Sequence, residues 1–299
     1  TDRKNELWRL NMQAFSLDGQ LCEEKDATIS VMDHGLLYGD GVFEGLRFYS
    51  GEIFRLDIHL RRLTDSAKAI GLDLPMPLSE IEQALYKTVK ASQLDNGYIR
   101  LIVTRGTGNL GLNPANCHSP RTIIIVAELS MIPDHIRDSG ASVIIASTRR
   151  MSSDELDPRI KSLNYLTQIL ARQEANVAGA DEAILLNRLG RVAEGTADNV
   201  FIVKNGQLQT PPTSEGALDG VTRNAIIDLA NRHDIPVSET LLAPYDLYTA
   251  DECFLTGTGA ELIPVAMIDG RELGDTRPVY EILSAAFSHL VQPQQPKSK

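Results

Sequence analysis

Apolar positions along this chain recur with two periods. A β-like pattern fills residues 97–106 (GYIRLIVTRG), 121–129 (RTIIIVAEL), 141–147, 182–187 and 252–258. Turn pairs predict four hairpins, at Asp18-Gly19, Ser50-Gly51, Asn205-Gly206 and Asp269-Gly270. Ile58, Leu60, Leu63, Ala67 and Ile70 recur at helical spacing until Gly71 stops them. A second helix over 78–94 would start at Ser79 as N-cap, with Glu82 three residues on. Over 157–175, Leu163, Leu166, Ile169, Leu170 and Gln173 fall at helical spacing with the apolar members on one side. Lys161 would stand at the mouth of that helix. Further helices are predicted over 220–234 and 276–291.

These elements make an α+β chain of two domains with a cleft between them. Residues 1–129 form a small N-terminal domain and 130–140 a linker. Residues 141–291 form a larger C-terminal domain, and 292–299 a polar, proline-rich tail expected to be disordered. With 299 residues, 42% of them hydrophobic, the chain can bury such cores.

The formal charge of −11 and the absence of a basic run exclude a nucleic-acid partner. Three separated cysteines indicate neither a zinc site nor a disulfide framework. The charged start lacks an apolar signal core, and no stretch approaches a membrane span. A soluble, cytoplasmic protein is expected.

Several residues could carry chemistry, each beside a plainer role. Lys161 is flanked by Ile160, Leu163 and Tyr165. An amine held against apolar groups becomes a nucleophile, whereas a lysine at a helix start can also snorkel to solvent. Glu194, before the Gly195-Thr196 turn, could pair with a cationic ring nitrogen or cap backbone N–H groups. Val221 and Thr222 open a helix and so offer an anion site or an ordinary cap. Thr258 lies in the glycine-rich turn TGTG. Arg61 and Arg62 could reach a phosphate or form a solvated face. Phe43, Gly45 and Arg47 share one face of a strand, with Gly45 leaving room beside Phe43, and Tyr98 and Arg100 share one face of another. No P-loop, H-E-x-x-H or G-x-G-x-x-G after a strand occurs, and no Ser-His-Asp order can be assembled.

An amine nucleophile, a carboxylate for a ring nitrogen and a phosphate cradle together match the demands of pyridoxal 5′-phosphate. The runs YGDGVFEGLRFY, HLRRLTDSA, IKSLNYL, AEGTADNVF, GVTRNAI and LTGTGAELIPV, in that order, resemble the fold-type IV (class IV) aminotransferases, most closely the branched-chain type. The resemblance implies the two-domain architecture of the D-amino-acid aminotransferase type, with the active site between the domains. It implies Lys161 as Schiff-base lysine and proton carrier, Glu194 on the pyridine nitrogen and Tyr165 on the cofactor's O3′. Arg62, Val221, Thr222 and Thr258 would hold the phosphate. Thr258 and Gly259 would receive the substrate α-carboxylate. Tyr38, Phe43, Gly45, Arg47, Tyr98 and Arg100 would line the substrate side, with Arg100 toward the distal carboxylate of glutamate.

The implied reaction is ping-pong transfer of an amino group from leucine, isoleucine or valine to 2-oxoglutarate. The short Lys161–Asn164 spacing is shared with D-amino-acid transaminases, so these remain an alternative. An R-selective amine transaminase and aminodeoxychorismate lyase are further ones. The partners implied are amino acids, 2-keto acids and a second copy of the chain, in a homodimer or a hexamer.

Overall fold

The computed structural model describes residues 13–128 and 134–292. They divide into two compact units. One holds residues 13–128 with 160–164 and 292, the other 134–159 with 165–291. The N-terminal stretch, 129–133 and most of the C-terminal tail lie outside the described residues.

The first unit runs β1 (Gln13–Leu17), β2 (Gln20–Cys22), α1 (His34–Tyr38), β3 (Gly41–Tyr49), β4 (Glu52–Ile53), α2 (Leu56–Ala69), α3 (Leu78–Ser92), β5 (Gly97–Thr104) and β6 (Arg121–Ala127). Its described strands form one antiparallel sheet in the order β2-β1-β6-β5-β3-β4. Alternation decides its faces. Val42, Leu46 and Phe48 of β3, Ile99, Leu101 and Val103 of β5, and Ile124 and Val126 of β6 are buried in one cluster. Leu60 and Leu63 of α2 and Ile81 and Leu85 of α3 complete that cluster. Phe43, Gly45, Arg47, Tyr98 and Arg100 therefore stand on the sheet's other face.

The second unit runs α4 (Asp134–Ser139), β7 (Ala141–Arg149), α5 (Leu166–Ala178), β8 (Glu182–Leu186), β9 (Val192–Gly195), β10 (Asn199–Lys204), β11 (Gln207–Thr210), α6 (Val221–Arg232), β12 (Val237–Glu239), α7 (Pro244–Tyr248), β13 (Glu252–Gly257), β14 (Glu261–Ile268), β15 (Arg271–Glu272) and α8 (Pro278–Val291). Its described strands form a mixed sheet in the order β12-β11-β10-β13-β14-β7-β8-β9, with β15 on β14. The α4 helix falls where the sequence suggested a linker, and its Ile136 joins this unit's core.

All four predicted hairpins form. Asp18, Ser50, Asn205 and Asp269 have φ near +50°, each followed by a glycine with φ between 74° and 80°, the geometry of a two-residue type I′ turn.

Three local expectations are corrected. The α3 helix starts at Leu78 with Pro77 as N-cap, so Ser79 lies inside its first turn and caps nothing. The helix expected over 157–175 begins only at Leu166. Residues 161–163 are extended instead: Phe43 N donates to Lys161 O (2.9 Å) and Leu163 N to Gly41 O (3.0 Å). On that edge β4 pairs only with Phe48 and Tyr49, which leaves the start of β3 open to this segment. Finally, α5 does not pack through its apolar stripe. It buries Gln168, Ala171 and Ala175, while Leu166, Ile169 and Leu170 are exposed. The small alanines seat against Ala146, Ala183 and Leu185. Glu174 accepts hydrogen bonds from Ser147 N (2.6 Å) and Thr148 N (2.9 Å). These contacts fix the helix by its polar side.

Among the described residues, no helix is long and apolar enough to cross a membrane, and no group of His, Cys, Asp or Glu could hold a metal ion. The three cysteines are free.

Candidate active site

In the first unit, a carboxylate occupies the core-facing side of β3. Glu44 alternates with Val42 and Leu46 and is 0% exposed. It is balanced from α2, where His59 and Arg62 stand one turn apart on the same face. Arg62 donates from Nε to Oε1 (2.7 Å) and from Nη2 to Oε2 (2.7 Å), and His59 Nδ1 lies 2.8 Å from Oε2.

Burial opposes ionisation of Glu44, but the Arg62 charge and the hydrogen bonds from Arg62 and His59 outweigh it. Its pKa lies well below the usual carboxylate range. Burial is the main cause that lowers the pKa of His59; Glu44 opposes it, and the charges of Arg62 and Lys161 add to it. An ionised carboxylate only accepts, so the His59 proton sits on Nδ1. Its Nε2 is buried with no hydrogen-bond partner.

Lys161 lies beside this group. Its backbone N donates to Ser66 Oγ on α2 (3.1 Å), and its Nζ is 4.5 Å from the centroid of the Phe43 ring. The Arg100 guanidinium faces the same ring at 4.6 Å and the Tyr98 ring at 5.5 Å. A Cβ on Gly45 would meet Tyr98 Oη at 2.1 Å, so the room that Gly45 leaves is taken by the tyrosine. Arg47 pairs across strands with Tyr98, and its guanidinium faces Tyr49 at 5.9 Å. Tyr38 is set apart on α1, where its hydroxyl donates to Leu110 O (2.6 Å).

In the second unit, Glu194 is on β9 and 6% exposed. Its Oε1 is 2.7 Å from Arg150 Nε, and its Oε2 accepts from Leu218 N (2.8 Å). Leu218 lies on the loop that leads into α6, so Glu194 is tied to the helix start formed by Val221 and Thr222. Both of these residues are buried. The first turn of α6 carries no acidic residue, which suits a bound anion.

Asp198 and Asn199 brace the same region. Asn199 Nδ2 donates to Leu218 O (2.9 Å), and its Oδ1 would be 2.0 Å from a Cβ on Gly220. Asp198 Oδ1 would be 2.1 Å from a Cβ on Gly257, next to Thr258 and Gly259. Tyr165 stands at the N-cap of α5.

The first unit thus gathers Arg62, Lys161, Phe43, Gly45, Tyr98 and Arg100. The second gathers Glu194, Val221, Thr222, Thr258 and Gly259. Sequence reading missed Glu44, His59, Arg150, Asp198 and Asn199. Only Glu44 left a legible signal, as a charge at a core-facing place of an alternating strand.

Residues 41–268 match the family described as Amino-transferase class IV. The chain belongs to the class IV aminotransferases. Among curated members, it is 49% identical over 259 residues to a putative branched-chain-amino-acid aminotransferase of Methanocaldococcus jannaschii, covering 87% of this chain and 89% of the relative. Among solved structures, it superposes on the branched-chain amino acid aminotransferase of Escherichia coli with a TM-score of 0.91 at 33% identity, covering 95% and 96% of the two chains. The T.th. branched-chain amino acid aminotransferase, complexed with N-(5′-phosphopyridoxyl)-L-glutamate, gives a TM-score of 0.89 at 33% identity, with 95% of each chain covered. As a class IV aminotransferase the chain is an enzyme, with the mixed α and β architecture of these neighbours.

Proposed function

We propose that this class IV aminotransferase uses pyridoxal 5′-phosphate to move an amino group from leucine, isoleucine or valine to 2-oxoglutarate in a ping-pong cycle. The observation that carries the reading is the placement of Lys161. Its amine lies against the Phe43 ring, on a segment pinned to β3 and α2, beside the Glu44–Arg62 pair. The donor set fits the cofactor: a lysine amine, a buried carboxylate, an arginine and a helix whose first turn carries no acidic residue. The unpartnered His59 Nε2 marks a buried polar spot in the same group.

The bound cofactor supplies an electron sink for charge left at the substrate Cα. The protein groups do the rest. Lys161 would hold the cofactor through its Nζ and would carry the proton from the substrate Cα. Glu194 accepts from the ring nitrogen and favours its protonated form. Arg62, Val221, Thr222 and Thr258 hold the phosphate, and Tyr165 contacts O3′. Thr258 and Gly259 receive the α-carboxylate, while Tyr38, Phe43, Gly45, Arg47 and Tyr98 border the side chain. Arg100, whose guanidinium faces the Phe43 and Tyr98 rings, meets the distal carboxylate of glutamate. The glutamate adduct named in the T.th. complex supports a dicarboxylate substrate of this kind. The protein acts in the cytoplasm as a homodimer or a hexamer of dimers.

A panel assay tests the reading. With 2-oxoglutarate as acceptor, L-leucine should turn over far faster than D-alanine or R-1-phenylethylamine. Preference for either of the latter would overturn the substrate assignment.

A further inference from the structure

Arg150 and Glu194 lie on opposite sides of β8. Arg150 directly follows β7 and its backbone N donates to Leu186 O of β8 (2.8 Å), while Glu194 on β9 pairs with Leu185. The two side chains together must span two strand spacings, roughly 10 Å, and they meet between the strands through Arg150 Nε and Glu194 Oε1. Arg150 is 6% exposed, and its Nε reaches both Glu194 Oε1 (2.7 Å) and Gly216 O (3.1 Å). Gly216 has φ of 104°, and a Cβ there would come within 3.2 Å of Arg150 Cγ. The loop is therefore shaped around the arginine stem.

We infer that Arg150 is a positioning residue that keeps Glu194 ionised, so that the proton shared with the cofactor stays on the ring nitrogen. The inference rests on the reading of Glu194 given above. A carboxylate buried without a cation takes up a proton. A neutral Glu194 would then donate to the ring nitrogen and leave the ring uncharged. A guanidinium does not titrate in the working range of a protein, so its charge holds Glu194 as an acceptor. Oε1 takes the Arg150 guanidinium and Oε2 takes Leu218 N. A purely structural pair could be replaced by apolar groups at little cost; a charge-setting pair could not.

The test uses holoenzyme reconstituted with pyridoxal 5′-phosphate labelled with ¹⁵N in the ring. The ring signal is followed against pH in the wild type, Arg150→Gln, Arg150→Met and Glu194→Gln. Arg150→Gln retains a donor without the charge, and it decides the matter if Arg150→Met does not fold. The wild type should show a protonated ring nitrogen across neutral pH. Both Arg150 variants and Glu194→Gln should move the signal to the unprotonated position. If Glu194→Gln moves it and the Arg150 variants do not, the role of Arg150 is overturned and the reading of Glu194 stands. If no variant moves it, Glu194 is not the ring-nitrogen partner and both fall.

Discussion

Arg62 grips Glu44 through two parallel hydrogen bonds, 2.7 Å from Nε to Oε1 and 2.7 Å from Nη2 to Oε2, with the carboxylate wholly out of solvent. Such a fork leaves the guanidinium little freedom to turn. The residue proposed for the cofactor phosphate is thus held in place by a strand carboxylate.

Replacing Glu44 by Gln should remove the charge and half of that grip. Breaking a buried pair by removing one partner costs about 3–5 kcal/mol, so urea unfolding should show a loss of that order. Affinity for pyridoxal phosphate, measured by fluorescence quenching, should fall about tenfold or more. Unchanged affinity in a folded variant would show that Arg62 needs no brace.

Acid sensitivity should begin at His59. Its pKa in the fold is lowered from the ordinary 6.5, mainly by burial. The unfolded chain therefore binds this proton more readily, and stability is full above pH 6.5 and declines as pH falls toward the folded value. Glu44, also lowered, adds a loss of the same sign that starts only below about pH 4.3. In His59→Asn the amide can still donate to Glu44, and the decline that begins below about pH 6.5 should flatten. An identical acid limb in urea titrations would refute this assignment.

Gly45→Ala places a methyl 2.1 Å from Tyr98 Oη. The obstacle is the end of a movable side chain, so the ring should swing aside and the fold survive. Stability should change by about 1 kcal/mol or less, while kcat/KM for L-leucine drops about tenfold. Removing the hydroxyl in Gly45→Ala/Tyr98→Phe should recover part of the loss. No change in kcat/KM for the single variant would place Tyr98 away from the substrate.

Hairpins and strands were legible because their signals are local. A left-handed Xaa-Gly pair and a period of two need no partner to be recognised. Phe43, Gly45 and Arg47 were placed on one face for the same reason. The segment around Lys161 was not legible. The apolar period from Leu163 to Leu170 runs through its end, yet its backbone is claimed by β3, which no local window contains. The orientation of α5 failed similarly, because alanine contacts and the Glu174 bonds to β7 outweigh the stripe of leucines. Glu44–Arg62 joins a strand to the helix packed on it and Arg150–Glu194 spans one sheet, and a single sequence carries no sign of such pairs.

The roles proposed for Lys161 predict that Lys161→Ala abolishes steady-state transamination. The most direct measurement is borohydride reduction of the wild-type holoenzyme followed by peptide mass spectrometry. The account predicts a phosphopyridoxyl group fixed to the Nζ of Lys161. A tag on another lysine, or none at all, would contradict it.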